Sequence, residues 1–215
     1  MSRTFNSVKN DLRFALIFAG VCIAGVYVHE IGHAVFGWVQ GIPVVPTPAK
    51  EYILQDWVDW RQKIWVSLGG VAGTALLVLG SLLWYARERR PVADAVLAGV
   101  LIPPCFYTLR FLLAGRGHDG LEWQEAQSAL GATPTGHMVD ILFLCLLLAG
   151  STAWILRRRA SLRLASIVRV AGLVLGGIAL LIVLQVINNA LFDRFFPETT
   201  TVNVPAGIES RQNPE

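Results

Sequence analysis

The chain has 215 residues, of which 54% are hydrophobic and 15% charged, with a net charge of +3 and a mean hydropathy of +0.53. That balance is too apolar for an ordinary soluble domain and reads as one all-α bundle of transmembrane helices. The basic residues stand in short clusters beside apolar runs, which excludes a nucleic-acid partner and makes the lipid bilayer the surrounding medium.

Residues 1–13 are polar, with Arg3, Lys9 and Arg13 against Asp11. The apolar run that follows continues to about Gly41 with no small-x-small cleavage pattern, so a retained first span is expected at about 14–40. Between Phe14 and Val39 the only His, Asp, Glu, Lys or Arg residues are His29, Glu30 and His33, in the stretch Val28-His29-Glu30-Ile31-Gly32-His33-Ala34. At 3.6 residues per turn the two histidines share one helical face, about 6 Å apart, as two ligands of a single ion require. Glu30 lies roughly 100° round the helix, poorly placed to ligate that ion but able to reach a water on it. This is the H-E-x-x-H arrangement of metalloproteases. A chance match would be costly here, because one ionisable group at a bilayer centre costs about 2.5–3.5 kcal/mol. A bound zinc offsets that cost, closed structural sites being worth about 10 kcal/mol or more. One Zn²⁺ is therefore expected.

Residues 42–64 hold Pro43, Pro46 and Pro48, then Tyr52, Trp57 and Trp60 among Lys50, Glu51, Asp56, Asp59, Arg61 and Lys63. Prolines spaced this closely exclude a helix, and the aromatic and charged mixture suits an irregular interfacial loop, with a short hairpin or an amphipathic piece left open. A second span is expected at about 65–86 and a third at about 92–114, the latter broken or kinked at Pro103-Pro104. Arg110 is expected to neutralise a buried acid such as Asp119 or Glu30. In the loop 115–137, Asp119 followed by Glu122 has the pattern of a capped helix start, predicting a short helix that ends near Gly131. His137 and Trp123 read as loop and interface residues. Spans four and five are expected at about 138–156 and 170–192, with Gln185, Asn188 and Asn189 near the end of the fifth. The tail from Pro197 is expected to be disordered, leaving 1–196 as a single transmembrane domain. Cys22, Cys105 and Cys145 each lie alone in a different apolar segment and read as small packing residues.

Eleven Lys and Arg residues fall in the N-terminus and in the loops 87–90 and 157–169, against six on the opposite side. The count predicts an integral multi-pass protein of the cell membrane with a cytoplasmic N-terminus and an external C-terminus. It also brings the outgoing half of span one, the start of span two and Asp119 to a similar depth.

A catalytic zinc takes three protein ligands and keeps one position for water. A third histidine six residues after His33 is excluded, because Val39 stands there. Glu51 lies 18 residues beyond His33, but beside Asp56 and Asp59 in the proline-rich loop a solvated face accounts for it. Three stretches together resemble the site-2 protease family of intramembrane zinc metalloproteases, in its small membrane form without an inserted domain. They are His29-Glu30-Ile31-Gly32-His33, Gly69-Gly70-Val71-Ala72-Gly73-Thr74 and His118-Asp119-Gly120, within about residues 20–140. The resemblance implies His29, His33 and Asp119 as metal ligands and Glu30 as general base. It further implies a substrate-binding element at Gly70 to Thr74, where the family has Gly-Pro-x-x-Asn. Val71 stands where proline is usual, Thr74 where asparagine is usual, and His118 where an apolar residue is usual. Family members place the site toward the cytosolic leaflet, whereas the charge count puts this one toward the outer leaflet.

Blander roles stand beside these. Asp119 has the pattern of a helix N-cap, worth about 1 kcal/mol. Gly69 and Gly73 are spaced to let helices approach. Asn188 and Asn189 stand in for the absent asparagine or bond between helices. The sequence thus predicts a zinc metalloendopeptidase that cuts membrane-protein substrates in or near a transmembrane segment. The alternatives are a non-proteolytic membrane protein that keeps the metal for binding or stability, and an ion transporter.

Overall fold

A computed structural model describes residues 2–55, 57–87, 91–114, 124, 127–128, 134–159, 164–196 and 201–203. Among these, five helices dominate: α1 (Ser2–Val39), α2 (Trp60–Arg87), α3 (Pro91–Ala114), α4 (Pro134–Arg159) and α5 (Leu164–Phe192). Four three-residue strands accompany them: β1 (Val44–Pro46), β2 (Glu51–Ile53), β3 (Trp57–Asp59) and β4 (Thr201–Asn203). Three helical stretches, Asp11–Val39, Trp60–Arg87 and Leu175–Phe192, are long and apolar enough to cross a membrane. Val92–Thr108 and His137–Thr152 are shorter apolar stretches. Large apolar side chains stay exposed on the outer faces, among them Leu76 and Leu79 on α2, Phe143 and Leu146 on α4, and Val183 and Val186 on α5. Such surfaces are stable in lipid and would aggregate in water.

α1 is the central element: it packs on α2 and α3, touches α5, and receives the β1–β2 hairpin. Phe18 and Cys22 join Ala98 and Ile102 of α3 in one buried cluster. Tyr85, Leu97, Leu101 and Leu148 tie α2, α3 and α4 together in another.

Gly41 ends α1 with φ +75°. Ile42 N donates to Gly37 O at 2.9 Å and Gly41 N to Trp38 O at 3.0 Å, the paired bonds of a Schellman cap that turns the chain back. Of the alternatives left open for the proline-rich loop, the chain forms the hairpin, pairing Val44 with Ile53, Val45 with Tyr52 and Pro46 with Glu51. Trp38 Nε1 donates to Val44 O at 2.8 Å and holds the hairpin against the end of α1. Alternation along β2 sends Ile53 into the cluster of Ala34, Ile42, Val44, Val58 and Val66, while Tyr52 faces the other way. Tyr52 Oη donates to Asp193 Oδ1 at 2.7 Å, just beyond α5.

Two expectations are corrected and a third is narrowed. α2 begins at Trp60, five residues early, because Asp59 caps it: Asp59 Oδ1 accepts from Arg61 N at 2.9 Å, and Gln62 Oε1 accepts from Asp59 N at 3.3 Å. α3 runs through Pro103 and Pro104 without the break that was one of the two forms expected there. Thr201–Asn203, in the tail expected to be disordered, pair in parallel with Trp57–Asp59.

Candidate metal centre

Helical rise sets the first half of the site. His29 and His33 stand one turn apart on α1, with ring centroids 4.6 Å apart and ring planes at 87°. His29, Glu30 and His33 are all buried, at 6%, 3% and 0% exposure.

α2 supplies the second half. Its stripe Val66, Gly70, Thr74, spaced by four residues, runs along the two imidazoles. His33 Nδ1 donates to the Val66 carbonyl at 2.7 Å, and His29 Nδ1 lies 3.0 Å from Thr74 Oγ1. A Cβ on Gly70 would run into the His33 ring and come within 2.7 Å of His29 Cε1, so the missing side chain is the space the rings occupy. The neighbouring stripe, Gly69 and Gly73, meets α1 itself. A Cβ on Gly69 would stand 2.8 Å from the Gly32 carbonyl carbon, and one on Gly73 would stand 2.9 Å from Val28 O. The helix-approach reading of Gly69 and Gly73 is what the structure shows.

These bonds fix the tautomer of His33, and that of His29 follows the direction of its bond to Thr74. A carbonyl only accepts, so His33 Nδ1 carries the proton and the neutral ring presents a lone pair at Nε2. That nitrogen lies 3.0 Å from His29 Nε2. When Thr74 Oγ1 accepts from His29 Nδ1, the second ring turns its own lone pair into the same space. In that arrangement two facing lone pairs repel, and a shared proton or a cation between them removes the repulsion; when Thr74 Oγ1 donates instead, His29 Nε2 carries the proton and donates to His33 Nε2. Two nitrogens on one tetrahedral zinc stand about 3.3–3.4 Å apart, given bonds of about 2.0–2.1 Å, so the rings are within a small movement of that spacing. Outer hydrogen bonds on both rings are what metal-bound histidines keep. The donor set fits a zinc-type ion.

Glu30, His29 and Thr74 line a cavity of about 50 Å³ together with Tyr107, Pro103 and Pro104 of α3 and Gln185 of α5. It has room for a few waters and none for a peptide. On another side, Glu30, His33 and Glu51 each offer a ligand atom, all within 4.8 Å of one another. Two ionised carboxylates at that separation would repel by about 3.5 kcal/mol at an effective dielectric near 20, which a shared proton or positive charge among them removes. Lys63 Nζ, 3.6 Å from Glu51 Oε1, supplies some of that charge.

The structure thus brings together His29, Glu30, His33, Gly70 and Thr74. Asp119, with His118, Gly120 and Trp123, lies outside the described residues; in the short helix predicted there, residues 124, 127 and 128 are described, and they are helical. Asn188 is 2% exposed, and its side-chain nitrogen and oxygen have no hydrogen-bond partner among the described residues. Asn189 Oδ1 accepts from Gln185 Nε2 at 3.0 Å, and Gln185, not either asparagine, is the α5 residue on the cavity. One expectation is corrected: His137 is buried in the first turn of α4 rather than in a loop. Arg110 is exposed, and Asp119, one of the two acids expected beside it, lies outside the described residues. Glu51, set aside as solvated, lies in the site. Its strand register carried the answer, and a distance counted along the chain does not show which way a strand residue faces.

Compared with protein-family models, with curated proteins and with solved structures, the chain matches none.

Proposed function

We propose that this protein is a zinc-dependent intramembrane endopeptidase of five spans, acting on membrane proteins in or near a transmembrane segment. One observation carries the reading: two buried imidazoles have both Nδ1 atoms engaged and both Nε2 atoms converging at 3.0 Å, beside a buried glutamate on a water-sized cavity. The setting supports it, because α1 includes a stretch apolar enough to cross a membrane. The resemblance to site-2 proteases supports it too, and in this reading Asp119 is the third ligand. The charge count supports a cytoplasmic N-terminus in the cell membrane.

When bound, zinc supplies Lewis acidity that brings the pKa of water toward about 7 and polarises a carbonyl. Glu30 takes the proton of the attacking water and returns it to the leaving amine. Val66 O and Thr74 Oγ1 hold the imidazoles in the tautomer that leaves Nε2 free, and Gly70 gives them room. In this scheme Thr74 acts on a histidine and touches no substrate. Asn188 and Asn189 keep a substrate-facing role only if α5 moves when substrate enters. A substrate helix shields its amides within its own segment, so it must unwind before cleavage. The segment 43–60, which contains the extended pieces Val44–Pro46, Glu51–Ile53 and Trp57–Asp59, is the surface that receives the strand.

Metal content and cleavage of a transmembrane reporter, measured together on detergent-purified protein, test the proposal. Glu30→Gln should keep its zinc and lose at least about a hundredfold in turnover, the scale of general-base catalysis. His33→Ala should lose both. A Glu30→Gln variant that cuts at the wild-type rate rules out the hydrolytic mechanism. Zinc retained with no cleavage by any form favours the metal-holding alternative, and ion flux without cleavage favours the transporter.

A further inference from the structure

The β1–β2 hairpin packs on α1 and brings one of its own carboxylates to the site. Pro46 pairs with Glu51 at the turn end of the hairpin, so Glu51 faces the same way as Ile53, toward α1 and the start of α2. Its side chain is 9% exposed and its carboxylate is gathered with Glu30 and His33 inside 4.8 Å. His33 Nε2 is in turn the atom that meets His29 Nε2. Glu51 thus stands beside His33, one of two convergent imidazoles, while His29 lies outside that 4.8 Å group; two imidazoles and a carboxylate are the donor types of a divalent-cation site. Lys63, 3.6 Å away, is the competing cation on the other side of Glu51.

We propose that Glu51 is itself a ligand of the ion held by His29 and His33 when the hairpin lies against α1, a role that rests on the metal reading above. Its ligation makes hairpin position and ion affinity one equilibrium. Whatever lifts β2 off α1, an incoming substrate strand included, passes Glu51 to Lys63 and frees a coordination position beside Glu30. The small cavity agrees with this, since no peptide enters until the hairpin moves.

The test uses the full-length protein in detergent, titrated with Zn²⁺ against a chromogenic chelator and with Co²⁺ followed by its visible absorption. Four forms are compared: wild type, Glu51→Gln, Lys63→Met and His33→Ala. Glu51→Gln should bind Zn²⁺ at least tenfold more weakly and change the intensity of the Co²⁺ bands, while Lys63→Met should bind as tightly as wild type or tighter. Unchanged affinity and unchanged bands in Glu51→Gln overturn the role of Glu51 and leave the metal centre standing. An equal loss in Lys63→Met also overturns it, because the Glu51–Lys63 pair would then act only by holding the hairpin. If wild type binds no ion, or His33→Ala binds as tightly as wild type, the metal centre itself is refuted and Glu51 with it.

Discussion

Thr74 Oγ1 lies 3.0 Å from His29 Nδ1, and in the proposed metal centre this one hydroxyl positions the ring. Without that acceptor, His29 is free to place its proton on Nε2 and lose its lone pair toward the ion. Thr74→Val, which keeps the shape, should weaken zinc binding about 10- to 100-fold, the usual cost of losing an outer hydrogen bond on a metal-bound histidine, while Thr74→Ser should bind like wild type. Competition with a chromogenic chelator reads both, and equal affinities in Thr74→Val and wild type would remove the positioning role. The H-E-x-x-H stretch was legible in the sequence because helical spacing alone puts its histidines on one face. Thr74 was legible as a position of interest, yet its partner was not, since pairing residue 74 with residue 29 depends on how α1 and α2 are registered. Glu51 was hidden for the same kind of reason: its neighbours along the chain suggest a solvated face, whereas its neighbours in space are Glu30, His33 and Lys63.

Among the elements, the hairpin shows most clearly what a sequence withholds. Its prolines excluded a helix, but only the register of Val45 on Tyr52 turns Glu51 inward and Tyr52 toward α5. Tyr52 and Lys50 both reach Asp193, at 2.7 Å and 3.7 Å, and Tyr52 rests near Phe196 with ring centroids 5.4 Å apart. The Lys50 contact is an exposed ion pair and adds little. Tyr52→Phe should cost about 0.5–1.5 kcal/mol of hairpin docking, seen as faster amide exchange at 44–53 with no change in the helices. Identical exchange in Tyr52→Phe and wild type would show that the hairpin is held by packing alone. The early start of α2 was readable after all, because Asp59-Trp60-Arg61-Gln62 has the spacing of a capping box, but the acid was assigned to a solvated face. The prolines of α3 do not break the helix. They remove the donors for Gly99 and Val100 carbonyls, and the helix persists because α1 packs against it there: a Cβ on Gly99 would stand 2.9 Å from Phe18 O. The strand Thr201–Asn203 is too short to carry a periodic signal of its own.

At the scale of the molecule, an interior that gathers two imidazoles and two carboxylates is assembled at a cost that the proposed ion would offset. Ligand linkage converts that into stability: at free zinc about a thousandfold above Kd the folded form gains about 4 kcal/mol. Tm should therefore rise by several degrees with zinc and fall on chelation, and His33→Ala should be indifferent to both. A wild-type Tm that ignores zinc would argue against an ion among these side chains. The broad helical architecture was legible from apolar runs alone, and each of the five expected spans overlaps one helix. The crossing of α1 over α2 was not, because it turns on Gly32 and Gly69, whose main chains touch with nothing between them. That crossing has a consequence for how such a protein can diversify. Where two backbones abut, no side chain remains to be trimmed or enlarged, so ordinary drift in the lipid-facing residues leaves the distance between donors undisturbed. One added methyl at either glycine, by contrast, wedges the axes apart and detunes the centre in a single step. Tolerance along α1 is thus divided sharply between freely variable outward positions and a pivot that admits only hydrogen.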